Sequence, residues 1–179
     1  MRKCLIYPRR KVKLCAVTEK WEKLRAASPL GTLKLEFRGG ALVACRLIEA
    51  APEVPEEPPS PEAARALREL DEYFSGARRS FSVRIDAEGT PFRLAVWAAL
   101  RKIPYGDVRT YGEVARMIGN PKAVRAVGGA CHANPCLIFT PCHRVVAANG
   151  TGGFGAGLEN KRRLLALETG KDAPLGFKW

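Results

Sequence analysis

Leu33-Lys34-Leu35-Glu36-Phe37 alternates apolar and polar side chains with a period of two, the pattern of a half-buried strand. Gly39-Gly40 follows, and then the mostly apolar stretch Ala41 to Ile48, so the pattern predicts a β-hairpin. From Ala51 to Pro61 five prolines and several glutamates predict an extended connector. Ser60-Pro61-Glu62 reads as an N-cap followed by proline at the first helical position. Leu67, Leu70 and Phe74 then recur at helical spacing until Gly76, and Phe81, Val83 and Ile85 alternate again, which predicts another strand. This first half reads as a small α/β unit with no evident chemistry.

The second half changes character. Thr90-Pro91 opens a helix carrying Phe92, Val96, Trp97 and Leu100. Thr110 with Glu113 fits a capping box, starting a helix that runs through Val114 and Met117 to Gly119. Asn120-Pro121 restarts a helix at once, with Asn120 as N-cap, and the pair predicts a helix-turn-helix. Its second helix, Lys122 to His132, is nearly bare: Ala123, Ala126, Gly128, Gly129 and Ala130 carry little or no side chain. Small residues admit a close neighbour, which is more commonly another helix and otherwise a groove of DNA; Lys122 and Arg125 on the same helix favour the second. The apolar Leu137-Ile138-Phe139 predicts a strand just ahead of Cys142. A glycine-rich loop from Gly150 to Gly157 and a helix from about Leu158 to Glu168 complete this half.

The 179 residues suffice for one ordinary domain or two small ones. No apolar run is long enough to span a membrane or serve as a signal peptide, so an intracellular, cytoplasmic protein is expected. Net charge is +12, with the excess at the two ends: +7 over residues 1–25, −4 over 51–90 and +8 over 91–179. A basic second half suits a polyanionic partner such as nucleic acid, or only a well-solvated surface. Inside a cell, the six cysteines are not expected to form a disulfide framework. Gln is absent and Asn and Met are few, a depletion resembling a thermophile's, in which one intracellular disulfide becomes less improbable.

Both histidines directly follow a cysteine, in Cys131-His132 and Cys142-His143. A neighbouring base or positive charge makes a thiol a useful nucleophile, and Cys142 has His143 and Arg144 beside it. In a strand, adjacent side chains point apart, so His143 is expected to reach Cys142 through a water. A Cys-His pair taken alone is more commonly structural. Metal is a further reading, since Cys131, His132, Cys136, Cys142 and His143 are close in sequence, but their spacing is no recognised zinc pattern. Gly150-Thr151-Gly152-Gly153-Phe154-Gly155 matches a dinucleotide fingerprint, yet too little chain follows to build the second strand that fingerprint needs.

Thr140-Pro141-Cys142-His143-Arg144-Val145-Val146, with Tyr111, the stretch Gly119 to Ala130 and Asn134-Pro135, resembles the O6-alkylguanine-DNA alkyltransferases. The likeness runs from about Phe92 to Glu168; the first half fits loosely, through Ser28-Pro29-Leu30-Gly31 and the strand that follows. The resemblance implies a mixed α/β (α+β) fold: a small ribonuclease-H-like N-terminal domain over residues 1–88, then a mainly helical, winged-helix-like domain over 89–179 that carries the helix-turn-helix. It implies irreversible, single-turnover transfer of an alkyl group from guanine O6 in duplex DNA to Cys142, after the base is flipped out. The recognition helix would enter the minor groove with Lys122, Ala123, Ala126 and Gly128 against the DNA, while Arg125 fills the gap left by the base.

By the same resemblance His143 takes the thiol proton through a water, Glu168 orients His143, and Tyr111 donates a proton to guanine N3. Asn134 holds the turn before the cysteine, and the backbones of Cys142, Val145 and Gly155 meet the base. No metal or organic cofactor is implied, and a monomer is expected. The loop departs from the family pattern, with Phe154 and Gly155 where a tyrosine and a small polar residue often stand. Three rivals explain less: a non-catalytic binder of alkylated DNA would lack Cys142, a plain helix-turn-helix regulator leaves the Cys-His-Tyr-Glu set unexplained, and a cysteine hydrolase leaves Arg125 on its bare helix unexplained.

Overall fold

The computed structural model describes residues 20–53 and 58–170. Cys4, Cys15 and most of the basic stretch over residues 1–25 lie outside these residues. Three strands, β1 (Trp21–Ser28), β2 (Gly31–Arg38) and β3 (Ala41–Ile48), form an antiparallel sheet in the order β1-β2-β3. The expected hairpin is β2–β3, and Gly39 and Gly40 make its turn at φ of 54° and 73°, the left-handed backbone that two-residue hairpins demand. β1 was not legible because its buried positions are few: Leu24 alone is fully covered along Trp21–Ser28.

Alternation along β2 puts Leu33, Leu35 and Phe37 on the inner face. Helix α1 (Pro61–Phe74) lays Ala63, Ala66, Leu70 and Tyr73 into the same core. Each large apolar side chain fully buried there contributes about 1.5–3 kcal/mol. Ser60 caps α1 as expected, its hydroxyl accepting from Ala63 N at 3.2 Å, while Glu22 of β1 accepts from Ser60 N at 2.9 Å and so ties the helix start to the sheet.

The strand expected over Phe81–Ile85 is reduced to one parallel bridge, Ile85 to Leu42. Phe81 and Val83 still face the core, but the Ser82 N–H donates to the buried Glu69 carboxylate at 2.8 Å instead of to a ladder.

In the second half, α2 (Pro91–Leu100), α3 (Tyr111–Met117) and α4 (Val124–His132) pack on one another around Val96, Trp97, Leu100, Val114 and Val127. Two-residue strands β4 (Arg109–Thr110) and β5 (Val145–Val146) pair in parallel, and α5 (Leu158–Thr169) is the last element among the described residues. The capping box at Thr110 and Glu113 is present. Asn120, however, does not cap a helix: its carbonyl accepts from Ala123 N at 3.0 Å in a tight turn, and α4 begins at Val124 with no side-chain cap. Lys122 and Ala123 therefore lie in the turn ahead of α4 and not on it.

The two halves meet through residues 135–137. Cys45 N donates to Pro135 O at 2.8 Å and Leu137 N to Cys45 O at 2.9 Å, so the edge of β3 grips the segment leading to Cys142. The core of the first half also takes in Cys136, Ile138, Phe139 and Leu164 from the second. The strand expected at Leu137–Phe139 is instead a coil of tight turns: Ile138 has φ of 72°, and Thr140 N and Cys142 N donate to the nearby Cys136 and Thr140 carbonyls. No helix among the described residues is long and apolar enough to cross a membrane.

Candidate active site

Cys142, His143 and Arg144 form one turn of 3₁₀ helix, which aims the three side chains in different directions from a single buried point. Cys142 is 4% exposed and lines a pocket of about 260 Å³. Tyr111 from α3, Gly128, Cys131 and His132 from α4, and Gly153, Phe154 and Gly155 from the loop make its walls. A larger groove of about 620 Å³ shares Pro141 and Arg144 with this segment, but Cys142 is not among its walls.

Asn134, in the bend after α4, touches the sulfur directly. Its Nδ2 donates to Cys142 Sγ at 3.1 Å and to Thr140 O at 2.8 Å, while its Oδ1 accepts from Cys136 N at 3.1 Å. A donor on sulfur favours the thiolate. Burial is the larger influence and pushes the Cys142 thiol upward, with Asn134 and the Lys161 charge opposing it. A buried thiol of this kind needs a base at the moment of reaction.

His143 is fully buried. Its Nε2 lies 2.8 Å from Glu168 Oε1, which assigns the ring proton to Nε2 and leaves Nδ1 a buried acceptor with no hydrogen-bond partner among the described residues. Burial holds His143 below the ordinary imidazole value of 6.5, so the ring is neutral at pH 7 despite the pull of Glu168. Burial alone would raise the Glu168 carboxyl; hydrogen bonds and charge from His143 and Arg144 outweigh it and keep the group well below the usual carboxylate range. Arg144 grips both carboxylate oxygens, Nε to Oε2 at 2.8 Å and Nη2 to Oε1 at 2.9 Å. Tyr73 Oη at 2.6 Å and Gly106 N at 3.1 Å complete the donors around it.

The Tyr111 hydroxyl is aimed at Gly153 O, 3.5 Å away, and burial pushes its pKa up, so it stays protonated. Gly152 lies flat against the same ring: at φ of 69°, a Cβ there would fall 2.8 Å from the phenol oxygen and ring carbon. Cys131 is a second thiol in the pocket, pushed up to about 12 by burial. Among the described residues no group of three or more His, Cys, Asp or Glu converges as a metal site requires.

Residues 91–170 match the family model described as 6-O-methylguanine DNA methyltransferase, DNA binding domain. A methylated-DNA–protein-cysteine methyltransferase of Mycobacterium tuberculosis is 44% identical over 145 residues, covering 79% of this chain and 88% of that protein. The chain belongs to the methylated-DNA–protein-cysteine methyltransferase family. A Methanosarcina acetivorans methyltransferase of the same name is 55% identical over 102 residues, where the match covers 56% of this chain and 65% of that protein. The crystal structure of the Mycobacterium tuberculosis protein OGT in complex with DNA is similar at a TM-score of 0.75 and 40% identity, over 88% of this chain and 99% of that one.

Of the residues expected from sequence, this methyltransferase-family chain brings Cys142, Tyr111, Gly128 and Gly155 to one pocket; Asn134 bonds to the Cys142 sulfur, and His143, next in the chain, bonds to Glu168. Val145 is buried and does not line the pocket; its carbonyl accepts from Lys161. Lys122, Arg125 and Ala126 are exposed and Ala123 is half-buried, all four apart from the pocket walls. Three residues were missed. Lys161 has a signal in the sequence, since it occupies the buried face of α5 with Leu164, Leu165 and Glu168 at offsets of three, four and seven. Tyr73 shares the inner face of α1 in the same way, and Arg144 was noted as a neighbour of the cysteine but not as the partner of Glu168.

Proposed function

We propose that this chain repairs DNA by direct reversal, taking the alkyl group from guanine O6 onto Cys142 once per molecule. The observation that carries the reading is Cys142 in the wall of its pocket, its sulfur accepting from Asn134 Nδ2 at 3.1 Å. His143 Nδ1, the free acceptor of a neutral ring, takes the thiol proton through a water, and Glu168 holds the resulting imidazolium. The sulfur lone pair forms the S–C bond as the C–O6 bond breaks. Tyr111 gives its proton to guanine N3, so the guanine departs neutral. The thioether has no route back to a thiol here, which makes the reaction stoichiometric.

Duplex DNA enters along α4. Its outer face is Val124, Arg125, Ala126, Gly129 and His132, and a Cβ on Gly129 would meet nothing within 4 Å. Packing inside the molecule therefore does not explain the bareness at Gly129, whereas close approach to a narrow groove does. Arg125 replaces the flipped base, Lys122 meets the phosphates from the turn before α4, Ala123, Ala126 and Gly128 admit the groove wall, and the backbones at Cys142 and Gly155, which line the pocket, hold the guanine edge. The proposal includes a ribonuclease-H-like unit over residues 1–88, supported by an antiparallel meander followed by a helix. A winged-helix-like unit covers 89–179, supported by the separate core of α2, α3 and α4. The protein acts as a cytoplasmic monomer.

The test is consumption of O6-methylguanine in a duplex against added protein. Loss that plateaus at one lesion per molecule, and disappears in Cys142→Ser, supports the reading. Many lesions removed per molecule, or none by folded protein that binds the duplex, overturns it.

A further inference from the structure

Lys161 carries a charge into the interior with no carboxylate bonded to it among the described residues. The residue is wholly buried, and its three ammonium donors meet three backbone carbonyls: Val145 at 2.5 Å, Thr151 at 2.5 Å and Gly153 at 3.1 Å. The –NH₃⁺ group has three donors, so this set is complete. A neutral amine would turn a lone pair toward one of those oxygens. Burial brings Lys161 down to about 8, which still leaves it charged at neutral pH.

The three carbonyls belong to two separate segments that both lead to pocket residues. Val145 follows the catalytic turn directly, while Thr151 and Gly153 belong to the glycine loop. Gly153 O is also the acceptor of the Tyr111 hydroxyl, and Gly152, between the two clamped carbonyls, backs the Tyr111 ring. The titratable groups that feel the Lys161 charge are Cys142 and His143 on the turn and Cys131 on α4.

We propose that Lys161 is a positioning residue for alkyl transfer: its ammonium clamps the glycine loop to β5, sets the Tyr111 phenol over the pocket, and supplies the cationic field at the Cys142 sulfur. It deepens the alkyl-transfer reading and rests on it. A buried lysine bonded only to carbonyls is otherwise a costly way to pin a loop, because its charge must be desolvated without a counterion. Here the same charge serves the loop and the thiol.

The experiment uses the full chain in two readouts. One is the rate of methyl transfer from an O6-methylguanine duplex in Lys161→Met, Tyr111→Phe and the double variant. The other is the pH profile of Cys142 alkylation by iodoacetamide, which involves neither Tyr111 nor guanine and so stands apart from the repair reading. We expect Lys161→Met to slow transfer about 10- to 100-fold. Tyr111→Phe should then cost much less in that background than alone, and the iodoacetamide profile should move to higher pH. Additive rate losses with an unmoved profile in folded protein overturn the proposal. If Lys161→Met does not fold, Lys161→Arg decides, since it keeps the charge but not the three-carbonyl fit. The thiol profile should then stay in place while the Tyr111 effect is blunted; an undiminished Tyr111 effect overturns the proposal. Absence of methyl transfer in every protein, wild type included, refutes the repair reading instead and leaves the iodoacetamide result to judge Lys161.

Discussion

His143 Nε2 and Glu168 Oε1 lie 2.8 Å apart with both side chains sealed from solvent, and the carboxylate takes four further hydrogen bonds, from Arg144, Tyr73 and Gly106. A carboxylate so fully satisfied is a fixed anion, and the ring beside it is fixed in tautomer. Glu168 is thus suited to orient His143 and to stabilise it once charged, and poorly suited to take the proton itself. The permanent charge of Arg144 lets this carboxylate remain ionised in the interior.

The network makes stability depend on pH in a stated direction. His143 has a folded pKa below its ordinary 6.5, so the unfolded chain binds that proton more readily. Its contribution is complete above pH 6.5 and declines as pH falls through 6.5 toward the folded value. Glu168, also lowered, contributes above its ordinary 4.5 and is lost only in stronger acid. Urea unfolding of the wild type and His143→Asn should therefore show a stability difference that shrinks from pH 7.5 to pH 5. A difference that widens over that range contradicts the neutral, buried imidazole.

Asn134→Ala removes a donor from the sulfur and two bonds from the turn that presents it. A hydrogen bond to a charged group is worth about 1.5–3 kcal/mol, so alkylation of Cys142 should slow about 10- to 100-fold and its pH profile should shift upward. Iodoacetamide kinetics across pH 6–10 measure both, and an unshifted profile would show that Asn134 supports only the backbone.

Tyr111→Phe keeps the ring against Gly152 and deletes the proton. General-acid assistance contributes about 10²- to 10⁴-fold, and a loss of transfer rate in that range is expected with duplex affinity nearly intact. Single-turnover transfer alongside binding measurements separates the two; an unchanged transfer rate removes the donor role.

Arg125→Ala should impair repair in duplex DNA by about 10-fold or more, as expected for losing the group that fills the stack after flipping. Reaction with free O6-benzylguanine should be unaffected. Equal losses on both substrates would mean that Arg125 acts on the pocket and not on the base stack.

Where periodicity and capping chemistry were strong, the sequence was legible: the β2–β3 hairpin, the Ser60 and Thr110 caps and the helix ending near Glu168 all stand. It was misleading where a long-range hydrogen bond replaced a ladder, as when Glu69 captures Ser82 N. The apolar run Leu137–Phe139 misled similarly, because burial among core residues from both halves makes any apolar segment look like a strand. Of the site, Cys142, His143, Tyr111, Asn134 and Glu168 were expected through the family resemblance, whereas Lys161 and Tyr73 lie outside the motifs that carry it and needed the fold to bring them in. A lone lysine on the apolar face of a helix was the available clue.

The most direct measurement is peptide mass spectrometry after incubation with a duplex carrying a single O6-methylguanine. Two thiols line the pocket, so the location of the adduct is as informative as its presence. The account predicts one methyl group per protein on the peptide containing Cys142, none on the peptide containing Cys131, and none at all in Cys142→Ala. A methyl on Cys131, or no adduct on folded protein that binds the duplex, would contradict it.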